Sequence, residues 1–197
     1  NAMQEREFSI KSSDGHDIFV RQWLPEGGTA NARIVIHINH GMAEHSARYK
    51  PIAERLTHVG AIVYAHDTRG HGRSVHGADL LGHYADQDGW NKVISDVKTV
   101  NEHIRREHTP LPLVALGHSM GSFVVRAYVQ RYGDTVQAMM LSGSAFHELA
   151  DVLQARAGIA LETWRQGEKG RSPLLDMLAF GAYNNVFKPT RTTADWL

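Results

Sequence analysis

Leu111-Pro112-Leu113-Val114-Ala115-Leu116 runs directly into Gly117-His118-Ser119-Met120-Gly121, and then into Ser122-Phe123-Val124-Val125-Arg126-Ala127-Tyr128. An apolar strand, a G-x-S-x-G turn and an amphipathic helix in that order make a nucleophile elbow. A strand that reverses at once into a helix forces the turn residue into a strained backbone conformation. It also lifts that side chain above the sheet edge. Gly117 and Gly121 carry no Cβ, so strand and helix can close around the turn. The unpaired N–H groups of the helix N-terminus lie beneath it and favour negative charge. Ser119 is therefore the candidate nucleophile. The pentapeptide alone also fits an ordinary βα turn; the flanking strand and helix carry the assignment.

Outward from the elbow, strands alternate with helices. Glu7–Lys11 and Asp17–Leu24 read as strands joined by a turn at Asp14-Gly15. Arg33–Ile38 is a β-branched run without polar alternation, as expected of a strand buried on both faces. A helix is predicted from Ala47 to His58, with Tyr49, Ile52, Ala53 and Leu56 on one face and Gly60 past its end. Ala61–Ala65 is the next strand. Trp90–Glu107 carries Val93, Val97, Val100 and Ile104 at helical spacing behind Asp88, a residue suited to the N-cap, and Pro110 and Pro112 end it. Gly133 closes the elbow helix, and Val136–Leu141 reads as one more buried strand. The order predicts an α/β fold with a mostly parallel sheet, right-handed crossovers, and ligands at the carboxyl ends of the strands, where Ser119 lies.

Beyond Ser142 the texture changes. Glu148–Arg165 and a segment opening at Ser172-Pro173 read as consecutive helices with no strand between them. The expected organisation is a core over residues 4–145 and a partial helical cap over residues 146–197.

Composition narrows the function. Of 197 residues, 42% are hydrophobic and 21% charged, and Lys+Arg and Asp+Glu both number 21, so nothing favours nucleic acid as a partner. With no cysteine, disulfides and thiolate zinc sites are excluded. Asn1-Ala2-Met3 resembles a tag remnant before an initiator methionine and is set aside. No run approaches the ~18 apolar residues of a membrane span, and the expectation is a cytoplasmic protein. Among the 13 histidines, His40, His45, His66, His71 and His76 lack the i,i+4 spacing of a zinc helix, so neither metal nor cofactor is called for. The Asp67–Ser74 loop reads as a buried, hydrogen-bonded support for the site. His118 fills the elbow's variable position, with its side chain expected to point away from the reacting carbonyl.

A serine that attacks an acyl group needs donors for the oxyanion. Strand Arg33–Ile38 ends in Asn39-His40-Gly41-Met42, where a glycine lets a backbone N–H turn toward the site. The N–H groups of Met42 and of Met120 are the two candidate oxyanion donors, and Gly41 is the candidate for substrate contact.

Three separated motifs carry a family resemblance: His40-Gly41-Met42-Ala43-Glu44-His45-Ser46-Ala47-Arg48-Tyr49, Ala65-His66-Asp67-Thr68-Arg69-Gly70-His71-Gly72-Arg73-Ser74, and Gly117–Gly121. Together they resemble the monoacylglycerol lipase and lysophospholipase branch of the α/β-hydrolase superfamily, over essentially Phe8 to Leu197. The closing stretch from Asn185 to Leu197 resembles part of that branch's cap. The resemblance implies a serine hydrolase acting on carboxylic esters of single-chain acyl lipids, with the acyl chain in the cap. It leaves room for transient contact of the cap with a membrane surface, and calls for no obligate protein partner. It also implies the chain order nucleophile, acid, histidine, which puts the acid and histidine, with further strands of the fold, after Leu197. This 197-residue chain is therefore expected to be a truncated form, inactive by itself, with the strand Val136–Leu141 ending the sheet as a long apolar edge. His147, Glu148 and Asp151 are lesser alternatives. A catalytically inactive lipid-binding homologue is a rival reading, as is a cofactor-free peroxidase or C–C bond hydrolase on the same fold.

Overall fold

The computed structural model describes residues 3–77 and 80–184. Two compact units divide the chain, Asn1–Ser144 and Ala145–Leu197.

In the first unit, β1 (Gln4–Lys11), β2 (Asp17–Leu24), β3 (Ile34–Asn39), β4 (Ala61–His66), β5 (Leu113–His118) and β6 (Ala138–Ser142) form one sheet in the order β1-β2-β4-β3-β5-β6. β1 and β2 pair antiparallel, as do β2 and β4; the β4–β3, β3–β5 and β5–β6 ladders are parallel. The mostly parallel α/β sheet is thus as expected. Helices α1 (Lys50–His58), α2 (Gly89–His108) and α3 (Met120–Tyr132) cover it.

Strand β4 shows why these runs lack polar alternation. Ile62 and Tyr64 face a cluster with Val100 and Ile104 of α2, whereas Ala61, Val63 and Ala65 face one with Tyr49 and Ala53 on the α1 side. Both faces are covered, so every position is apolar or hydrogen-bonded. Val93, Ile94 and Val97 of α2 pack on Val124 and Tyr128 of α3, fixing the elbow helix.

Four local readings need correction. Helix α1 starts at Lys50 after a 3₁₀ turn over Ser46–Tyr49, because Pro51 lacks an N–H and sits in the first turn of a helix. Tyr49, Ala53 and Leu56 pack on one cluster as expected and Thr57 is also buried, whereas Ile52 is exposed. Asp88 stands at the N-cap of α2 in the left-handed region (φ 54°) and takes a hydrogen bond from the Asn91 side chain instead of capping the backbone. Strand β1 begins at Gln4, and Met3, set aside above, packs against the Trp23 cluster. Strand β6 has a buried strand's composition but is instead the apolar sheet edge also expected of this chain, and it leaves Met139, Met140 and Leu141 exposed.

The second unit holds α4 (Leu149–Gln166) and α5 (Pro173–Asn184). The motif from Asn185 to Leu197 lies outside the described residues. Among the described residues, no helix is long and apolar enough to cross a membrane.

Candidate active site

Ser119 joins β5 to α3 at φ 51° and ψ −118°, a strained conformation for a residue with a Cβ. The neighbours hold it there. Its N–H donates to the Ser142 carbonyl at the end of β6 (2.9 Å), and its carbonyl accepts from the N–H and hydroxyl of Ser122 (2.9 and 2.6 Å). A Cβ on Gly117 would overlap the Gly121 carbonyl, and one on Gly121 would overlap the Asn39 carbonyl. The glycines therefore do more than free the turn. Gly121 lets the first turn of α3 touch the backbone at the end of β3, where the candidate oxyanion loop begins. Among the described residues, no side chain hydrogen-bonds the Ser119 hydroxyl.

That loop meets the elbow as the sequence predicts. A Cβ built on Gly41 would lie 3.3 Å from the Ser119 Cβ, so Gly41 borders the candidate nucleophile. Met42 follows in a turn in which Glu44 N–H reaches the Gly41 carbonyl (3.4 Å) and Ala43 adopts φ 61°. An alanine in the left-handed region costs roughly 1–2 kcal/mol, a strain held by the surrounding contacts. Met120 is the first residue of α3, so its N–H belongs to the first turn, which has no intrahelical acceptor. Its sulfur accepts a hydrogen bond from the Tyr84 hydroxyl at 2.7 Å.

His40 sets the direction of the Gly41–Met42 peptide. Its Nε2 accepts the Thr68 N–H (2.9 Å), so the neutral ring carries its proton on Nδ1 and donates it to the Gly41 carbonyl (2.7 Å). In a trans peptide C=O and N–H point in opposite directions, so holding the Gly41 oxygen aims the Met42 N–H the other way. The Asp67–Ser74 loop is the buried support expected. Asp67 accepts the N–H groups of Ser46 (2.6 Å) and Arg73 (2.8 Å), and Arg69 forms a forked pair with Asp96.

Behind this loop His37 Nε2 meets His66 Nδ1 at 2.9 Å. Burial pushes His37 down to about 3 and His40 to about 4, and places His66 well below its usual range. His71 is lowered for the same reason. A histidine depressed in the folded state gives stability that is present above its unfolded value near 6.5 and is lost as pH falls toward the folded value. Each contributes about 1.4 kcal/mol per pH unit across that window. The melting temperature should hold above about pH 7 and fall steeply between about pH 6 and 4; a thermal-shift series across pH 4–8 checks this, and a flat profile contradicts it.

Glu44, Tyr49 and His118 join the site without having been singled out for it. Glu44 accepts the Gly41 N–H (3.0 Å) and the Tyr49 hydroxyl (2.7 Å). His118, expected to point away from the reacting carbonyl, approaches the Ser142 hydroxyl (3.2 Å) and lies 3.8 Å from Glu44. A carboxylate three residues after a loop glycine carries no local signature, since its partners are set by the conformation of its own loop and by the approach of His118 from the β5 loop. His147 precedes α4, Glu148 stands at its N-cap position and Asp151 is in its first turn.

A groove of about 800 Å³, lined by Pro25, Arg33, Lys50, Glu54 and His58 among others, opens at the start of β3. Ser119 follows the other end of the parallel sheet, so this groove plays no part in the site.

The family model described as Hydrolase_4, "Serine aminopeptidase, S33", matches residues 30–175. The chain is 38% identical over 143 residues to a monoacylglycerol lipase of Mycolicibacterium smegmatis, covering 71% of this chain and 46% of the relative. It is 33% identical over 122 residues to the monoglyceride lipase of Homo sapiens, covering 58% of this chain and 35% of that protein. The chain thus spans less than half the length of these curated relatives. Among solved structures, a thermostable carboxyl esterase from Bacillus coagulans superposes with a TM-score of 0.80 at 23% identity, covering 99% of this chain and 62% of that one, a likeness of fold.

Proposed function

The chain belongs to the Hydrolase_4 family of α/β-hydrolases, and from that premise we propose that it is a serine hydrolase cleaving carboxylic esters of single-chain acyl lipids, monoacylglycerols or lysophospholipids, in the cytoplasm. Ser119 attacks the ester carbonyl and forms an acyl-enzyme. The N–H groups of Met42 and Met120 receive the oxyanion, and Gly41 borders the substrate. A histidine base and its orienting acid follow Ser119 in the chain order nucleophile, acid, histidine. Residues 4–145 act as the catalytic core, and the helices of residues 146–197 as part of an acyl-binding cap.

The observation that carries this reading is the strained backbone of Ser119, held between β5 and α3 against Gly41. Such strain, over-determined by its surroundings, marks functional positions. The choice of ester over amide rests on the curated relatives, named as lipases, although the family description names an aminopeptidase.

A fluorophosphonate probe with paired p-nitrophenyl ester and p-nitroanilide substrates, applied to the full-length protein, tests the reading. One adduct on the Ser119 peptide is expected, with ester turnover lost in step with labelling and little anilide cleavage. Labelling at another residue, or anilide cleavage above ester cleavage, would overturn it.

A further inference from the structure

One buried carboxylate beside the nucleophile has no step in the proposed reaction. Glu44 lies in the loop between β3 and α1 with its side chain 3% exposed. Its Oε2 accepts the Gly41 N–H and the Tyr49 hydroxyl, while its Oε1 lies 3.5 Å from Arg48 Nε and 3.8 Å from His118 Nε2. A Cβ on Gly41 would lie 3.3 Å from both Glu44 Oε2 and the Ser119 Cβ, so carboxylate, oxyanion loop and nucleophile crowd one point.

The two donors come from separate loops, Met42 after β3 and Met120 in the elbow. Their separation decides whether both N–H groups reach one oxygen. Glu44 touches both loops, the first through Gly41 and the second through His118. Tyr49, in the turn before α1, braces it from a buried position.

A bare carboxylate here would repel a developing oxyanion. Oε2 is instead occupied by an N–H and an O–H donor, and Oε1 faces a guanidinium and an imidazole. The charge is thus balanced by donors on both oxygens where it borders Ser119, and what it supplies to the site is geometry.

We propose that Glu44 is a positioning residue that ties the oxyanion loop to the elbow and so sets the spacing of the Met42 and Met120 N–H groups. This rests on Ser119 as nucleophile and on those two N–H groups as oxyanion donors.

The test compares Glu44→Leu, Glu44→Gln and Tyr49→Phe with the unaltered protein, all made in the full-length protein and counted by active-site titration with a fluorophosphonate. The readouts are p-nitrophenyl butyrate kinetics and inhibition by an arylboronic acid, which mimics the tetrahedral adduct. Oxyanion donors act mainly in the transition state, and losing one costs about 10²–10³ in rate. A misplaced donor should cost less. Glu44→Leu is expected to lower kcat per titrated site about 10–100-fold with KM within about threefold, and to weaken the boronate in proportion. Glu44→Gln keeps an oxygen for the Gly41 N–H and should recover to within about fivefold, with Tyr49→Phe between the two.

A purely structural role would reduce the titrated fraction and leave kcat per site unchanged; that result overturns the proposal, as does a loss confined to KM. If Glu44→Leu does not fold, Glu44→Gln and Tyr49→Phe decide by the same criteria. The underlying reading fails separately, if Ser119→Ala keeps ester turnover. The Glu44 proposal fails alone when turnover depends on Ser119 and the Glu44 and Tyr49 variants match the unaltered protein.

Discussion

Replacing Ser119 with alanine in the full-length protein is expected to lower ester kcat/KM on the order of 10⁵–10⁶-fold, with the melting temperature unchanged or slightly raised. The variant loses one oxygen, and with it the covalent route. The oxyanion donors remain, because His40 still holds the Gly41 carbonyl and Met120 still opens α3. Residual turnover should therefore stay above the uncatalysed rate by about 10³-fold, the share left to the oxyanion hole and substrate binding. Stability should not suffer, because the fixed contacts of Ser119 are its N–H to Ser142 and its carbonyl to Ser122, both retained by alanine. The strained φ also remains, so the two effects separate cleanly. Ester kinetics and thermal melts on the same preparation check both; activity within tenfold of the unaltered protein would remove Ser119 from the reaction.

The ease of reading differed along the chain for physical reasons. Ser119 was legible because its signal is local: glycines two residues to either side are there to avoid overlap, and flanking strand and helix are periodic runs. Gly41 and Met42 were legible because a parallel strand delivers its C-terminal loop to the same edge as the elbow. Glu44 was not, since its contacts with Gly41 and Tyr49 depend on how the loop after β3 folds back on itself, and its approach to His118 on that loop packing against the β5 loop. The start of α1 was read too early because periodicity outweighed Pro51, although Tyr49, Ala53 and Leu56 share a buried face as read. Strand β6 has in Ala138-Met139-Met140-Leu141 the composition of a buried strand, but burial depends on its neighbours, and the expectation that it ends the sheet as an apolar edge is the one that holds. At the sheet margin β6 has a strand partner in β5 alone. Arg69 was assigned to a supporting loop, and the structure shows how much that support carries.

Arg69→Met should cost about 3–5 kcal/mol, the usual result of removing one partner from a buried ion pair. Arg69 is 4% exposed and Asp96 is 2% exposed. The guanidinium donates through Nε and Nη2 to the two Asp96 oxygens (2.5 and 2.9 Å), and through Nη1 and Nη2 to Asp14 (2.8 and 2.5 Å). One side chain thus binds α2, the turn between β1 and β2, and the loop after β4. Burial raises the Asp96 pKa even with Arg69 in place, whereas Arg69 and Ser12 hold the more exposed Asp14 below its usual range. Without the guanidinium Asp96 is left buried and unpaired, so it must take up a proton or pull water into the core. For a chain of this size the melting temperature should fall by roughly 6–20 °C. Arg69→Lys keeps the charge but not the fork, and should recover only part of the loss. Arg69→Met with Asp96→Leu should recover most of it, because an apolar pair leaves no charge behind. The consequence reaches Ser119 through the backbone: Thr68, next to Arg69, gives its N–H to His40, and His40 holds the Gly41 carbonyl that aims the Met42 N–H. At temperatures where Arg69→Met is still folded, its ester kcat should therefore fall more than its KM rises. A single variant with both losses, and a double variant that regains stability ahead of kcat, would trace one line of support from α2 to the oxyanion loop; a melting temperature within about 2 °C of the unaltered protein would break it at its first link.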